Sequence, residues 1–290
     1  MLKNRLIGCL TVKNNIVVQS IGFNKYLPVG KPAIAIEFLN LWGIDEIILL
    51  DLDATRENRE PNYDLIKNIS RKCFVPLTVG GGINNLEQIK KLIRNGADKV
   101  SINTSAIKNL NLIKQASEVF GNQCIIVSID VAKDKEGNYK VFMNTTKTIT
   151  NIDPIKLVKK AEEYGAGEIF LNSVNNDGLK TGYDLNLIKN ISESVSIPII
   201  ACGGAGHPQH FFEAITIGKA SATAAGNFFH FTEHSPIIVK QFLKQKKSNI
   251  RLDTYANYNN FLFDDKGRID RPSSNYLQSI RFRFFSEEVI

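Results

Sequence analysis

Aspartates stand at the ends of several apolar runs, where a proton-moving group can be held at the edge of a buried core. Asp130 closes the run over 124–129, and Asp177, followed by Gly178, lies just beyond the run over 168–172. Asp51 and Asp53 close the run over 46–52. A carboxyl held at such a point can act as acid or base, or can orient a ligand. Asp53 equally suits a cap of the following turn. Other runs end in small residues: Val79-Gly80-Gly81-Gly82, Asn103-Thr104, Gly203-Gly204 and Ala225-Gly226. Phosphate binding needs close approach of the backbone and several N–H groups aimed at one point, and small residues permit both. One glycine pair alone would mean only a tight turn, but these four ends are related to one another.

The relation is an internal repeat. Leu65-Ile66-Lys67-Asn68-Ile69-Ser70 recurs letter for letter as Leu187-Ile188-Lys189-Asn190-Ile191-Ser192, 122 residues on. At the same offset Glu46-Ile47 matches Glu168-Ile169, and Gly81-Gly82 matches Gly203-Gly204. A long repeat predicts two similar half-structures, so a ligand site at the glycines should occur twice. Two such sites on opposite sides of one mouth suit a ligand with a phosphate at each end. Nearer the start, where the offset is 119, Cys9-Leu10-Thr11-Val12 aligns with Ser128-Ile129-Asp130-Val131 and sets Thr11 opposite Asp130, so that only one of two facing carboxylates is present.

The elements that carry these residues are legible as alternating patterns. Apolar runs over 6–12, 46–52, 75–79, 99–103, 124–129, 168–172, 197–201 and 220–225 alternate with amphipathic stretches over 32–42, 63–72, 86–95, 110–120, 154–164, 185–193, 208–217 and 236–244. This is the pattern of parallel strands joined by crossover helices, the strands covered on both faces. Gly43, Gly96, Gly121, Gly165 and Gly218 mark helix stops. Eight such units predict a single (β/α)8 TIM barrel over 1–248, built from half-barrels at about 1–120 and 121–248. An open doubly wound sheet is the second choice, because its reversing strand order does not explain so long a repeat. In a barrel, ligands collect at the C-terminal ends of the strands, where the aspartates and glycines fall. Residues 249–290 carry Tyr255, Tyr258, Phe261, Phe263, Tyr276, Phe282, Phe284 and Phe285 without lasting periodicity. They are expected to form a C-terminal extension packed on the barrel, with a partner-docking role as the alternative.

Composition narrows the class. A chain of 290 residues with 43% hydrophobic content can bury a large core. The net charge of +7 suits an anionic small molecule, while the dispersed Lys and Arg argue against a nucleic-acid partner. Cys9, Cys73, Cys124 and Cys202 are far apart and only four histidines are present, so neither a disulfide framework nor a zinc site is indicated. No metal and no cofactor are expected, and a reduced cytoplasm fits best. The first apolar run is too brief for a signal segment or a membrane span, so no membrane is expected as partner.

The segments RLIGCL, FVPLTVGGGI, GADKVSINTSAI, VSID, GAGEI and PIIACGGAG, in this order, resemble the HisF family, the cyclase subunit of imidazole glycerol phosphate synthase, over residues 1–250. The resemblance implies one phosphate site at Gly82, Asn103 and Thr104, and a second at Gly178, Gly204, Ala225 and Gly226. Glycine stands at 226 where the family usually has serine. Asp130 matches one of the family's two catalytic aspartates, and Asp177 another active-site aspartate. The resemblance further implies a HisH-like glutaminase docked at the opposite end of the barrel, with Asp98 facing it. Ammonia would pass through the core past a gate of Arg5, Glu46, Lys99 and Glu168. Taken alone, charges at strand starts are usually solvated surface. Two acids and two bases converging on one mouth can instead form a paired network that tolerates burial.

The departure is Thr11, where the family has its first catalytic aspartate. A hydroxyl cannot exchange a proton near neutral pH as a carboxyl does. The lysine usual in the following loop is Gln19. The pattern, with LDLDATRENREPNYDLI and AAGNFFHF, is similar to the HisF-like paralogues of glycan and surface-polysaccharide pathways, which work with a glutaminase and a separate amidotransferase to make acetamidino sugars. Four readings follow: an ammonia-channelling subunit of such a complex, a working histidine-pathway cyclase, a non-catalytic scaffold that activates the glutaminase, and, lowest in rank, a related sugar-phosphate isomerase barrel.

Overall fold

The computed structural model describes residues 3–259 and 261–270. Its first half runs β1 (Arg5–Lys13), β2 (Ile16–Ile21), β3 (Lys25–Gly30), α1 (Pro32–Leu41), β4 (Glu46–Asp51), α2 (Tyr63–Ser70), β5 (Leu77–Gly80), α3 (Leu86–Arg94), β6 (Lys99–Ile102), α4 (Thr104–Lys108) and α5 (Asn111–Phe120). The second half runs β7 (Ile125–Lys133), β8 (Tyr139–Met143), β9 (Thr148–Ile149), α6 (Pro154–Glu163), β10 (Glu168–Ser173), α7 (Leu185–Ser192), β11 (Ile199–Cys202), α8 (Pro208–Thr216), β12 (Ala222–Ala225) and α9 (Ser235–Gln245). Strands β1, β4, β5, β6, β7, β10, β11 and β12 pair in that order, all parallel, and β12 returns to β1. The sheet is therefore a closed (β/α)8 barrel, which excludes the open doubly wound alternative.

The repeat is visible in local structure. The duplicated hexapeptide supplies α2 and α7, and each helix starts from a side-chain cap: Asn62 accepts from Leu65 N at 3.0 Å and Asp184 from Leu187 N at 3.1 Å. Such caps satisfy N–H groups that have no partner within the helix. The first strand of each half, β1 and β7, continues into an antiparallel strand, β2 and β8. The outer strands of these excursions, β3 and β9, were not legible, because Lys25–Gly30 is only partly covered and Thr148–Ile149 is exposed. Several barrel strands also begin two residues later than their apolar runs, as in β5, β11 and β12. Pairing to the preceding strand, not hydrophobicity, sets where a ladder starts.

Helix stops at Gly43, Gly96, Gly121 and Gly165 adopt the left-handed backbone that glycine tolerates. Gly218 does not: the left-handed residue after α8 is Lys219, at φ +60°. Two layers of core result. Ile7, Ile48, Ile126, Phe170, Ile200, Ala222 and Ala224 fill the barrel interior, and a larger apolar shell lies between strands and helices.

The extension packs on the outside of the barrel through its described part. Asn4, at the foot of β1, bridges to Ile250, and Tyr255 stacks on Phe74 at 4.8 Å between ring centroids. The Tyr258 hydroxyl lies 2.8 Å from His234 Nδ1. A Cβ at Gly267 would fall 2.8 Å from Phe242 N, so the extension meets the backbone of α9 where only glycine fits. Tyr276, Phe282, Phe284 and Phe285 lie outside the described residues. Among the described residues no helix is long and apolar enough to cross a membrane.

Candidate active site

Side chains alternate along each strand, so one set from every barrel strand faces the axis. On β1 this set is Arg5, Ile7, Cys9 and Thr11; on β6 and β7 it leads to Ser101 and Asn103 and to Ser128 and Asp130. The foot and the mouth of the barrel are thus built from the same strands.

At the foot, Arg5, Glu46, Lys99 and Glu168 close a ring across the axis. Arg5 Nη1 lies 2.8 Å from Glu46 Oε1, and its Nη2 lies 2.5 Å from Glu168 Oε2. Lys99 Nζ completes the ring at 3.3 Å from Glu46 and 2.5 Å from Glu168. Both glutamates are buried and each meets both cations. Burial would raise the Glu168 pKa, but hydrogen bonds and charge from Arg5, then Lys99, outweigh it and hold the carboxyl below its ordinary value. Burial likewise opposes the Arg5 charge, and Glu168 and Glu46 reverse that effect. Asp98 is exposed beside Lys99, and one of its oxygens accepts from Leu77 N at 2.8 Å.

Above the ring, Thr78 Oγ1, Ser101 Oγ and Asn172 Oδ1 are buried without a hydrogen-bond partner among the described residues. Thr78 is in register with Lys99, and Ser101 is the next inward residue on the same strand.

At the mouth, a cavity is lined by Thr11, Asn103, Thr104, Asp130, Asp177, Gly178, Gly204, Ala225 and Gly226. These are the sequence-derived site residues except Gly82, which lies behind the wall. Gly82 donates its N–H to Thr55 Oγ1 at 3.1 Å, and a Cβ there would strike Ala54 and the Arg59 carbonyl at 2.9 Å. Gly81, which does line the cavity, has φ +108°, and a Cβ would fall 2.3 Å from the Asp51 carbonyl. Its repeat partner Gly203 has φ +95°, and neighbouring Gly204, at φ +101°, would bring a Cβ to 2.0 Å from the Gly182 carbonyl. The two glycine turns are thus repeat-related backbone walls.

Asp130 is 6% exposed, and its Oδ2 accepts from Asn103 Nδ2 at 2.9 Å. Burial pushes its pKa up to about 7; Asn103 pulls against the shift and the charge of Asp177 adds to it. A carboxyl poised there can both take and give a proton near neutrality. Asp177 is also pushed up by burial, although Ser20 Oγ at 2.6 Å and Phe23 N at 3.1 Å donate to it. Those bonds pin the tip of the β2–β3 hairpin down on the mouth, helped by Asn227, which bonds the Ser20 backbone at both ends. The Thr11 hydroxyl donates its one proton to the Val18 carbonyl at 2.7 Å.

Of the two further aspartates, Asp51 takes the turn-capping place expected for Asp53. Asp51 accepts from Asp53 N and Ala54 N, capping the turn, and pairs with Arg59 at 2.8 Å. Asp53 instead turns to Lys13, at 3.1 Å, and Asn14 N. Ser20, Phe23, Tyr26, Arg56 and Asn144 also line the mouth, and sequence reasoning missed them. They sit on the hairpins and the β4–α2 loop, whose periodicity gives no signal; the replacement at Gln19 was the only hint that the first hairpin belongs to the site.

Comparison with known proteins agrees with this geometry. A family model described as histidine biosynthesis protein matches residues 5–235. A Vibrio vulnificus (strain YJ016) protein provisionally named imidazole glycerol phosphate synthase subunit hisF2 is 48% identical over 92% of this chain and 98% of its own length. The imidazole glycerol phosphate synthase subunit HisF of Clostridium botulinum (strain Okra / Type B1) is 45% identical over 87% of this chain and all of its own length. A closed barrel with repeat-related glycine walls at its mouth, a family match across nearly all of that barrel and near-full-length identity to HisF subunits converge on one conclusion: the chain belongs to the histidine biosynthesis protein family, as a HisF-type member.

Proposed function

We propose that this chain is the barrel subunit of a glutamine-dependent enzyme complex, a lyase/cyclase-type subunit that receives ammonia at its foot and uses it at its mouth. The observation that carries this reading is the closed Arg5–Glu46–Lys99–Glu168 ring across the axis. Burying two carboxylates and partly burying their two cations is costly even when they are paired, so a ring that serves stability alone is a poor bargain against an apolar plug. A ring that can part and re-form admits a small neutral molecule from a glutaminase of the HisH type docked around Asp98. The buried polar side chains of Thr78, Ser101 and Asn172 offer it hydrogen bonds on the way to the mouth. Ammonia inside is screened from water and so stays unprotonated. The two glycine walls, with Asn103 and Thr104 on one side and Gly178, Ala225 and Gly226 on the other, hold a phosphate each. Asp130 moves the proton and Asp177 closes the hairpin over the ligand.

The finer reading is that the acceptor is a phosphorylated or nucleotide-linked sugar in acetamidino-sugar synthesis, with a separate amidotransferase in the assembly. Its support is Thr11: the hydroxyl proton is engaged at Val18, and the side chain cannot serve as the second carboxyl of the cyclisation. The alternative, a functional cyclase of histidine biosynthesis, is favoured by the names of the similar proteins; a scaffold that only activates the glutaminase is the third. Co-expression with a HisH-type glutaminase tests the assembly. A one-to-one complex whose glutaminase is stimulated on binding is expected, and Asp98→Lys should weaken it. Absence of any complex would contradict the proposal.

A further inference from the structure

Arg56 and Lys147 come from two different loops and meet at one atom. Arg56, between β4 and α2, donates from Nη2 to Asn144 Oδ1 at 3.2 Å, and Lys147, between β8 and β9, donates from Nζ to the same oxygen at 2.6 Å. The two charged nitrogens are therefore held within about 6 Å of each other. Lys147 also donates to the Phe23 carbonyl at the tip of the β2–β3 hairpin, and it adopts a left-handed backbone, φ +56°, to do so. Arg56, Asn144 and Tyr26 line the same cavity as Asp130 and Asp177.

Neither cation has a carboxylate within 4 Å among the described residues, whereas neighbouring Lys13 and Arg59 are paired with Asp53 and Asp51. Like charges this close repel, and these two exposed cations, bridged by a neutral amide, are answered only from a distance by Asp130 and Asp177. Burial lowers the Lys147 pKa and Arg56 lowers it further, while Asp130 and Asp177 act the other way from deeper in the cavity. Arg56 carries five N–H donors in a planar fork, and its contacts with Asn144 and Tyr26 use only part of them. A planar oxyanion accepts from such a fork with two oxygens at once.

We infer that Arg56 and Lys147 form a third anion subsite, which takes a carboxylate carried by the ligand between its two phosphate ends. This rests on the reading of the glycine walls as phosphate sites. The subsite ties the β4–α2 loop, the β8–β9 hairpin and the β2–β3 hairpin to one ligand group, so it selects acceptors by charge as well as by length.

Selenate soaked into crystals of the full chain, located by anomalous scattering, is the first probe. A peak within hydrogen-bond reach of both Arg56 and Lys147 is expected, and it should vanish in Arg56→Gln/Lys147→Gln. Peaks at the glycine walls without one at Arg56 would overturn the third subsite and leave the phosphate reading standing. A peak at Arg56 with none at the walls would overturn the phosphate reading, and no peaks at all would overturn both. In solution, phenylglyoxal modification of Arg56, read by peptide mass spectrometry, supplies the second probe. Oxalate should slow it at least fivefold in the wild type and not in Lys147→Gln. Protection by inorganic phosphate but not by oxalate would mean a free-phosphate site and would overturn the carboxylate assignment; protection by neither would overturn the subsite.

Discussion

Thr11 Oγ1 donates to the Val18 carbonyl at 2.7 Å, which ties the first barrel strand to its hairpin and leaves Asp130 as the only carboxylate of the repeat-related pair. Ammonia-dependent cyclisation of the bisphosphate ribulosyl substrate by the wild type should therefore be weak. Thr11→Asp should raise it, by about 10²–10⁴-fold if a missing acid or base is the whole defect. The change removes the Val18 bond and should cost about 1 kcal/mol of stability. Robust wild-type turnover that Thr11→Asp does not improve would favour the histidine-pathway alternative.

Asp130 should make stability fall with rising pH. Its folded pKa of about 7 lies above the ordinary 3.8, so folding favours the protonated form. That contribution is complete below pH 3.8 and is lost as pH rises through 7. Asp130→Asn, which can still accept from Asn103, should lack this loss and be more stable than wild type by about 2–4 kcal/mol at pH 8. Denaturant titrations at pH 5 and pH 8 check it; parallel changes in the two proteins would contradict the assignment.

Lys240 is fully buried, with Nζ 2.6 Å from Asp45 Oδ1, while the other Asp45 oxygen accepts from Leu6 N at 2.8 Å. This pair fastens α9 to the feet of β1 and β4, next to Arg5 and Glu46. Lys240→Ala strands a buried carboxylate and should cost about 3–5 kcal/mol. Lys240→Met with Asp45→Asn should recover much of that loss, as read by thermal unfolding.

Gly204→Ala places a methyl group against the Gly182 carbonyl in a backbone region closed to alanine. Strain of about 1–3 kcal/mol is expected, and because Gly204 lines the cavity, affinity for a bisphosphate should drop at least tenfold. Calorimetric titration of the variant at a temperature where it stays folded separates the two effects.

The barrel was legible because its evidence is redundant. Eight apolar runs, the 122-residue repeat and the glycine stops all point to the same alternation, so a strand boundary wrong by two residues changes nothing. The ring residues could be named only by resemblance, since one charged residue at a strand start looks like any solvated residue until four of them meet across an axis. The lid was not legible. Ser20, Phe23, Arg56, Asn144 and Lys147 reach the mouth from exposed hairpins and a loop, and their meeting depends on tertiary contacts such as Asp177 to Phe23 N, which no local period encodes. At Gly82 a glycine is also required by packing, since a Cβ would meet Ala54 and the Arg59 carbonyl, so the glycine signal alone does not single out a ligand.

Glu168, held below its ordinary pKa of 4.5 by Arg5 and Lys99, stabilises the fold above that value, and its contribution is lost as pH falls through its lower folded pKa. Glu168→Gln should therefore flatten the acid limb of the stability profile. It should also loosen the ring of four charges.

Nitrogen tracing tests the central claim most directly. The complex with its glutaminase is supplied with glutamine labelled with ¹⁵N at the amide and an excess of unlabelled ammonium. The account predicts that product made by the wild type keeps the ¹⁵N label, and that Lys99→Met and Glu168→Gln lose most of it to the unlabelled pool. Wild-type product carrying nitrogen from the bulk ammonium, in proportion to its excess, would contradict passage through the barrel.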